Sequence, residues 1–158
     1  MSGFRIDVAD LLAHAGTRRE VSVAETLTGL GTTAASVPGP VEVSVRLERV
    51  PEGIVVRGAV DCRWAGQCSY CLRDLAQPLH LEVAELFEPA PLEGETYPVE
   101  GTEIDLEQLV RDTVLLELPL APHCDEPCRP EADPQAADEI SDAPPDPRWA
   151  ALSELEIR

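Results

Sequence analysis

The sequence predicts an α+β fold in which an antiparallel β-sheet is packed by one main helix. Three observations lead to this prediction. Long stretches with an apolar residue at every second position indicate half-buried strands, and one stretch with helical spacing indicates a helix. Two cysteine pairs lie far apart along the 158 residues, which is typical of a metal clip. A chain of this length is expected to form one domain with a usable core.

The clearest strands lie on either side of a tight turn. Residues 41–48 alternate apolar and polar side chains, as a strand with one buried face does. Residues 50–53 carry Pro and Gly where tight turns prefer them, and a second alternating stretch covers residues 54–64. We therefore expect a β-hairpin. Cys62 falls on its inward face and is interpreted as a core thiol, since free cysteine is among the most buried residue types.

Two further strands and one loop are predicted around this hairpin. Residues 4–8 read as a strand near the N-terminus. Residues 79–83 also alternate, with three apolar side chains on one face. The Gly- and Thr-rich residues 26–39 are expected to form a loop.

One long helix is predicted for residues 106–118. Its apolar residues recur at helical spacing and are expected to pack on the sheet. Asp105 precedes it as N-cap, with Gln108 three residues later in a capping-box arrangement. Pro119 cannot continue the helix, so the chain turns there and leads directly to Cys124.

Four cysteines carry the strongest functional signal: Cys68 and Cys71 form one pair, and Cys124 and Cys128 form the second. Each pair supplies two soft sulfurs, so the fold can close them into a tetrahedral zinc site. Zinc would then join the loop after a strand to the segment after the helix. The alternative is that the cysteines are reduced and only buried, but tight pairs with polar neighbours argue against it. A site with four protein ligands is structural and has no open position for water, so zinc hydrolysis is not expected.

Charge and composition limit the partners. Thirty acidic residues oppose twelve basic ones, all of them Arg, for a net charge of −18. This charge disfavours non-specific binding to nucleic acid and favours a basic protein partner. Residues 1–10 lack the basic and apolar stretches of a secretory signal, and no apolar stretch approaches the roughly 20 residues that cross a bilayer. We therefore expect a cytoplasmic protein with reduced thiols, no membrane contact and no small-molecule substrate.

Three segments are expected along the chain. Residues 1–128 form the zinc-clipped α+β domain. Residues 129–146 are acidic and rich in Pro, which predicts a disordered linker. Residues 147–158 begin with Pro and place Trp149, Leu152 and Leu155 on one side of a short helix, which suggests a tethered docking segment.

Short motifs in a defined order connect these features across most of the chain. They are Cys68-x-x-Cys71-Leu72, Glu85-Leu86-Phe87, Asp105-Leu106-Glu107-Gln108-Leu109-Val110, Leu118-Pro119-Leu120, His123-Cys124 with Cys128, and Asp146-Pro147-Arg148-Trp149. Together they resemble the YceD-like family, which is associated in bacteria with the accumulation of large-subunit (23S) ribosomal RNA. The resemblance implies a role in large-subunit biogenesis, with ribosome-assembly or RNA-processing proteins as partners.

The metal-ligand set departs from that family in one respect. Relatives often carry further cysteines after the second pair, where this chain has Ala132 and Gln135. Some relatives use a histidine near His123, so His123 is an alternative ligand to Cys124. Adjacent residues rarely both bind one metal, and Cys124 with Cys128 gives the more compact step, so the four-cysteine set is preferred.

Two other functions remain as alternatives. Direct RNA binding would need the arginines expected on the wet face of the hairpin, which are Arg46, Arg49, Arg57 and Arg63. Thiol-disulfide exchange would use Cys68-x-x-Cys71, although the pair lacks the following helix of a thioredoxin-like fold. No phosphate-binding loop or nucleophile–histidine pair is apparent, so the protein is not expected to be an enzyme.

Overall fold

The computed structural model describes residues 3–125 and residue 128. Eight strands and two helices are found in this part of the chain. In order they are β1 (Arg5–Asp7), α1 (Ala9–Ala13), β2 (Arg18–Thr26), β3 (Ala35–Ser36), β4 (Pro40–Arg49), β5 (Ile54–Gln67), β6 (Asp74–Glu88), β7 (Tyr97–Glu100), β8 (Glu103–Asp105) and α2 (Leu106–Glu117).

The strands form one sheet in the order β1-β8-β7-β6-β5-β4-β2, and β3 pairs with β5. The α+β prediction is therefore confirmed at the level of fold class. The sheet is mostly antiparallel, as predicted, but β6 and β7 pair in parallel through Phe87 with Tyr97 and Glu88 with Pro98. Only the last two residues of β6 pair with β7. The short connection between the two strands is therefore long enough to bring the chain back beside the end of β6.

The predicted hairpin, formed by β4 and β5, lies in the sheet between β6 and the edge strand β2. The side chains of β4 alternate between exposed and buried, as the sequence period requires. Val50 and Gly53 exchange two backbone hydrogen bonds in the turn, and β5 then pairs with β6 without interruption from Ile54 to Gln67. Cys62 lies on the inward face but is only half-buried, where it packs against the core. Burial, followed by the charge of Asp61, raises the pKa of its thiol.

Helix α2 packs against this core with four buried side chains, which are Leu106, Leu109, Val110 and Val114. The side chain of Asp105 accepts a hydrogen bond from the Glu107 amide (2.9 Å), which confirms Asp105 as the N-cap. The second half of the predicted capping box is not formed. The Gln108 amide instead donates to the Asp112 carboxylate one turn later (2.7 Å).

The sequence patterns missed β2, β7, β8 and the short helix α1. Residues 26–39 are mostly loop as expected, with β3 as a two-residue exception. No helix among the described residues is long and apolar enough to cross a membrane. The predicted linker (129–146) and the predicted C-terminal helix (147–158) lie outside the described residues, so both stay predictions.

Candidate metal centre

The first cysteine pair lies in the loop of residues 68–73, which joins β5 to β6. The Cys68 amide donates to the Arg73 carbonyl (2.8 Å), and the Leu72 amide donates to the Cys68 carbonyl (2.9 Å). Leu72 has a φ of 59°, a left-handed conformation that costs an L-residue about 1–2 kcal/mol. The chain therefore turns tightly enough to place Cys68 and Cys71 at the same end of the hairpin.

The second pair follows α2. After Leu118 the backbone becomes extended, and it passes the first loop at Pro122, whose side chain is buried. The Ser69 amide donates to the Pro122 carbonyl (2.7 Å). This hydrogen bond joins the two cysteine-bearing segments and brings Cys124 next to Cys71.

The sulfur atoms of Cys68, Cys71, Cys124 and Cys128 all lie within 4.8 Å of one another. The Cys71 and Cys124 sulfurs are 3.6 Å apart. A tetrahedral zinc site with Zn–S bonds of about 2.3 Å has S···S edges of about 3.8 Å, so the largest separation exceeds an ideal edge by only about 1 Å. All five cysteines of the chain are described and none forms a disulfide. The four clustered cysteines can therefore hold a metal ion.

Burial differs among these four side chains. Cys68 is 0% exposed, Cys124 and Cys128 are half-buried, and Cys71 is exposed. The group is therefore anchored on one side in the core and reaches the surface on the other. Such a position lets a metal ion enter from solvent while its ligands stay fixed to the fold.

His123 is not part of the cysteine group that could bind a metal ion. Its side chain is exposed, and its Nδ1 atom lies 3.3 Å from the Ala121 carbonyl oxygen. The clustered group contains Cys124 and not His123. The arrangement favours the four-cysteine ligand set, which stays a prediction.

The arginines proposed for RNA contact are not all where the sequence placed them. Arg49 was expected on the wet face, but it shares the inward register of β4 and donates to the carbonyls of Val50 and Gly53. Arg46 is exposed and paired with Glu20 (2.9 Å). Arg57 and Arg63 are exposed on the outer face, so the expected placement is wrong for Arg49 alone.

The redox alternative finds no helix at the Cys68–Cys71 pair. The pair lies between two strands, whereas the reactive thiol of a thioredoxin-like site is activated at a helix N-terminus. Ser69, Leu72 and Pro122 also belong to this site, although the sequence does not mark them. Their contribution is made by the backbone, so no pattern of side-chain types marks it.

Comparisons with known proteins extend these observations. A family model described as "Large ribosomal RNA subunit accumulation protein YceD" matches residues 56–156, a range that contains all four clustered cysteines. Uncharacterized proteins of Mycobacterium tuberculosis and Mycobacterium bovis are each 33% identical over 140 residues, which cover 80% of this chain and 67% of the relative. An uncharacterized protein of Mycobacterium leprae is 31% identical over 97 residues, or 56% of this chain and 44% of the relative. No solved structure matches the chain.

Proposed function

The chain belongs to the YceD family, as its motifs predicted, and on this premise we propose that it is a non-catalytic zinc-binding factor in the accumulation of 23S ribosomal RNA. The single observation that carries the proposal is the group of four cysteine sulfurs within 4.8 Å. The family description indicates a role in ribosomal RNA accumulation, and the cysteine group indicates that the protein binds a metal ion. Together they favour a protein that is shaped by a metal and acts by binding.

Zinc fits the donor set best. Four thiolates are soft ligands, and a tetrahedral all-sulfur set selects zinc over the harder divalent cations. Cys68 and Cys71 would hold the ion from the hairpin loop, with Cys124 and Cys128 completing the set. A bound zinc ion supplies folding energy, because its binding free energy is realised only when the loop and the post-helix segment come together.

A binding role also agrees with the polar side chains elsewhere. His80 is exposed on the outer face of the sheet, where it is paired with Asp61 (2.6 Å). The hydrogen bond to Asp61 raises the pKa of His80. Such a pair on an open surface has the form of a surface contact and not of an enclosed proton-transfer site.

We assign the partner to the class of basic proteins, such as a ribosomal protein or an RNA-processing factor. The net charge of −18 repels a phosphate backbone and attracts a basic surface. We expect the acidic residues 129–146 and the segment around Trp149 to take part in this contact. Both lie outside the described residues, so their part in it is a prediction from the sequence.

Deletion and complementation test the proposed function. In a bacterium that carries this gene, the deletion is expected to lower 23S relative to 16S ribosomal RNA. The wild-type gene and Cys62→Ala should restore the ratio, whereas Cys71→Ala should not. An unchanged ratio in the deletion strain would overturn the role in ribosomal RNA accumulation.

The assignment of a protein partner has its own test. Purified full-length protein is titrated against 23S ribosomal RNA at increasing salt concentration. Weak binding that vanishes with salt is expected, because the net charge of −18 opposes the phosphate backbone and leaves only local arginine contacts, which salt weakens. Tight, salt-insensitive binding would contradict the protein-partner assignment and support direct RNA recognition instead.

A further inference from the structure

A groove lies between α2 and β7, at the opposite end of the β5–β6 hairpin from the cysteine group. It has a volume of about 600 Å³. One wall is a row of α2 side chains one turn apart, which are Gln108, Asp112 and Leu116. Residues 94–98, which include the start of β7, form the other wall.

The groove is preformed by internal contacts. The ring of Tyr97 stacks on the buried ring of Phe87 with centroids 5.1 Å apart. The Tyr97 hydroxyl donates to the Asp112 carboxylate (3.1 Å), which also accepts a hydrogen bond from Gln108. These contacts fix Tyr97 to the α2 wall of the groove. A ligand would therefore bind a surface that is already ordered.

The charge of the groove is negative and uncompensated. Glu85, Glu95, Asp112 and Glu117 line it, and no arginine or histidine does so among the described residues. None of these four carboxylates forms an ion pair within the described part of the chain. Other acidic groups are paired; for example, Arg5 lies within 3.6 Å of three carboxylates at the β1–β8 edge. Burial and the adjacent Asp112 raise the pKa of Tyr97 to about 12, which agrees with a negative field in the groove.

The groove also presents an apolar side chain. Leu116 is 84% exposed and stands on the helical wall beside Glu117. A single exposed leucine is ordinary on a protein surface. Here it lies in a concave site with the ring of Tyr97 and a rim of carboxylates, which is the composition of a docking site for an apolar anchor flanked by cations.

We propose that this groove binds a basic segment of the protein partner, with arginine or lysine side chains against the four carboxylates and one apolar side chain against Leu116 and Tyr97. The proposal rests on the proposed function, because it names the surface that receives the basic partner. The same carboxylates repel phosphate groups, so the groove discriminates against RNA.

A labelled peptide tests the groove directly. The probe is a fluorescein-labelled peptide of about 12 residues with alternating arginines around one central leucine, titrated by anisotropy with the full chain at about 50 and 150 mM salt. Leu116→Ser is expected to weaken binding about tenfold, as the loss of one buried leucine contact predicts. Glu117→Gln is expected to weaken it about threefold and to reduce its salt dependence.

Matched controls separate the groove from general charge attraction. Leu120 is 85% exposed and Glu82 is exposed, and neither lines the groove. Leu120→Ser and Glu82→Gln are expected to change the affinity less than twofold. Equal losses in groove and control variants would overturn the proposal, and so would the absence of peptide binding to the wild-type chain.

The outcomes also separate this proposal from the proposed function. Localised peptide binding together with an unchanged 23S to 16S ratio in the deletion strain would leave the groove standing and remove the role in ribosomal RNA accumulation. A lowered ratio without peptide binding would support the role in ribosomal RNA accumulation and overturn the groove as the binding site.

Discussion

The two ends of the β5–β6 hairpin are held in different ways. At the open end Ile54 pairs with Phe87, and both side chains are 0% exposed. At the loop end Gln67 pairs with Asp74, and the following loop leaves Tyr70 54% exposed and Leu72 68% exposed. Apolar burial therefore stabilises the open end. The loop end depends on backbone hydrogen bonds and, in our account, on a metal ion.

This difference shows how one hairpin can serve two purposes. An end that is packed in the core is stable by itself and can present a rigid groove beside it. We propose that the loop end takes part of its stability from a bound metal ion, so its order is expected to depend on whether metal is present. The following predictions test this division, from the largest expected effect to the smallest.

Cys71→Ala is expected to have the largest effect. Removal of one ligand leaves three thiolates that repel one another, and the zinc-binding free energy, on the order of 10 kcal/mol in small zinc modules, no longer stabilises the fold. We expect the free energy of unfolding to fall by about 5 kcal/mol or more, with loss of metal. Urea unfolding and metal content measure the two effects. An equal effect of Cys62→Ala would contradict the division between the cysteines.

Phe87→Ala tests the open end. The side chain is 0% exposed and stacks on Tyr97, so its removal should cost about 3–5 kcal/mol. Leu92→Ala is the control, since Leu92 is 58% exposed. Metal content of the folded Phe87→Ala protein should be unchanged. Loss of metal from the folded variant would show that the two ends are not independent.

Gly53→Ala tests the backbone at the same end. A β-carbon at Gly53 would overlap the Phe87 carbonyl oxygen, so strand β6 would have to move. The expected cost is about 2–3 kcal/mol. Gly39→Ala is the control, because nothing lies within 4 Å of its β-carbon position. Equal midpoints of thermal unfolding for the two variants would argue against the close approach of Gly53 to the Phe87 carbonyl.

Cys62→Ala removes a half-buried sulfur from the inward face of β5. The expected cost is about 1–2 kcal/mol, an ordinary core truncation, with no change in metal content. The two quantities are measured by urea unfolding and elemental analysis. A change in metal content would place Cys62 among the ligands.

Leu72→Gly should be the smallest effect and a stabilising one. Glycine adopts the left-handed conformation of residue 72 without the cost of about 1–2 kcal/mol that an L-residue bears, and it loses about 0.5–1 kcal/mol in backbone entropy. A gain of about 0.5 kcal/mol is expected in urea unfolding. Leu120→Gly, at a residue without positive φ, should give no gain. Destabilisation by Leu72→Gly would refute the strained turn.

The sequence predicted those elements in which the apolar period reflects burial. Strands β4 and β5 and helix α2 each bury a long row of apolar side chains, so the spacing of these residues in the sequence indicates the element and its buried face. Strand β2 was missed because its inward residues Val21 and Val23 are flanked on the same face by the charged Arg19 and Glu25. Arg19 is held there by Asp10 (2.9 Å), a contact that no local pattern indicates.

The candidate site could be predicted in part for the same physical reason. Cysteine spacing is local, so the two pairs were recognised, and the fold brings them together. The Ser69–Pro122 hydrogen bond joins segments more than fifty residues apart and involves only backbone atoms, so side-chain types do not encode it. The groove was missed because one of its walls is β7, whose parallel pairing with β6 has no local signal.

Metal content is the most direct test of the zinc-clipped fold. The protein is purified without chelator and its mass is measured under native conditions and again after unfolding in acid. Our account predicts a single zinc ion per chain that is lost on unfolding, because the thiolates are protonated as the site opens. A native mass without metal, together with four reactive thiols, would contradict the account and make thiol-disulfide exchange a serious candidate again.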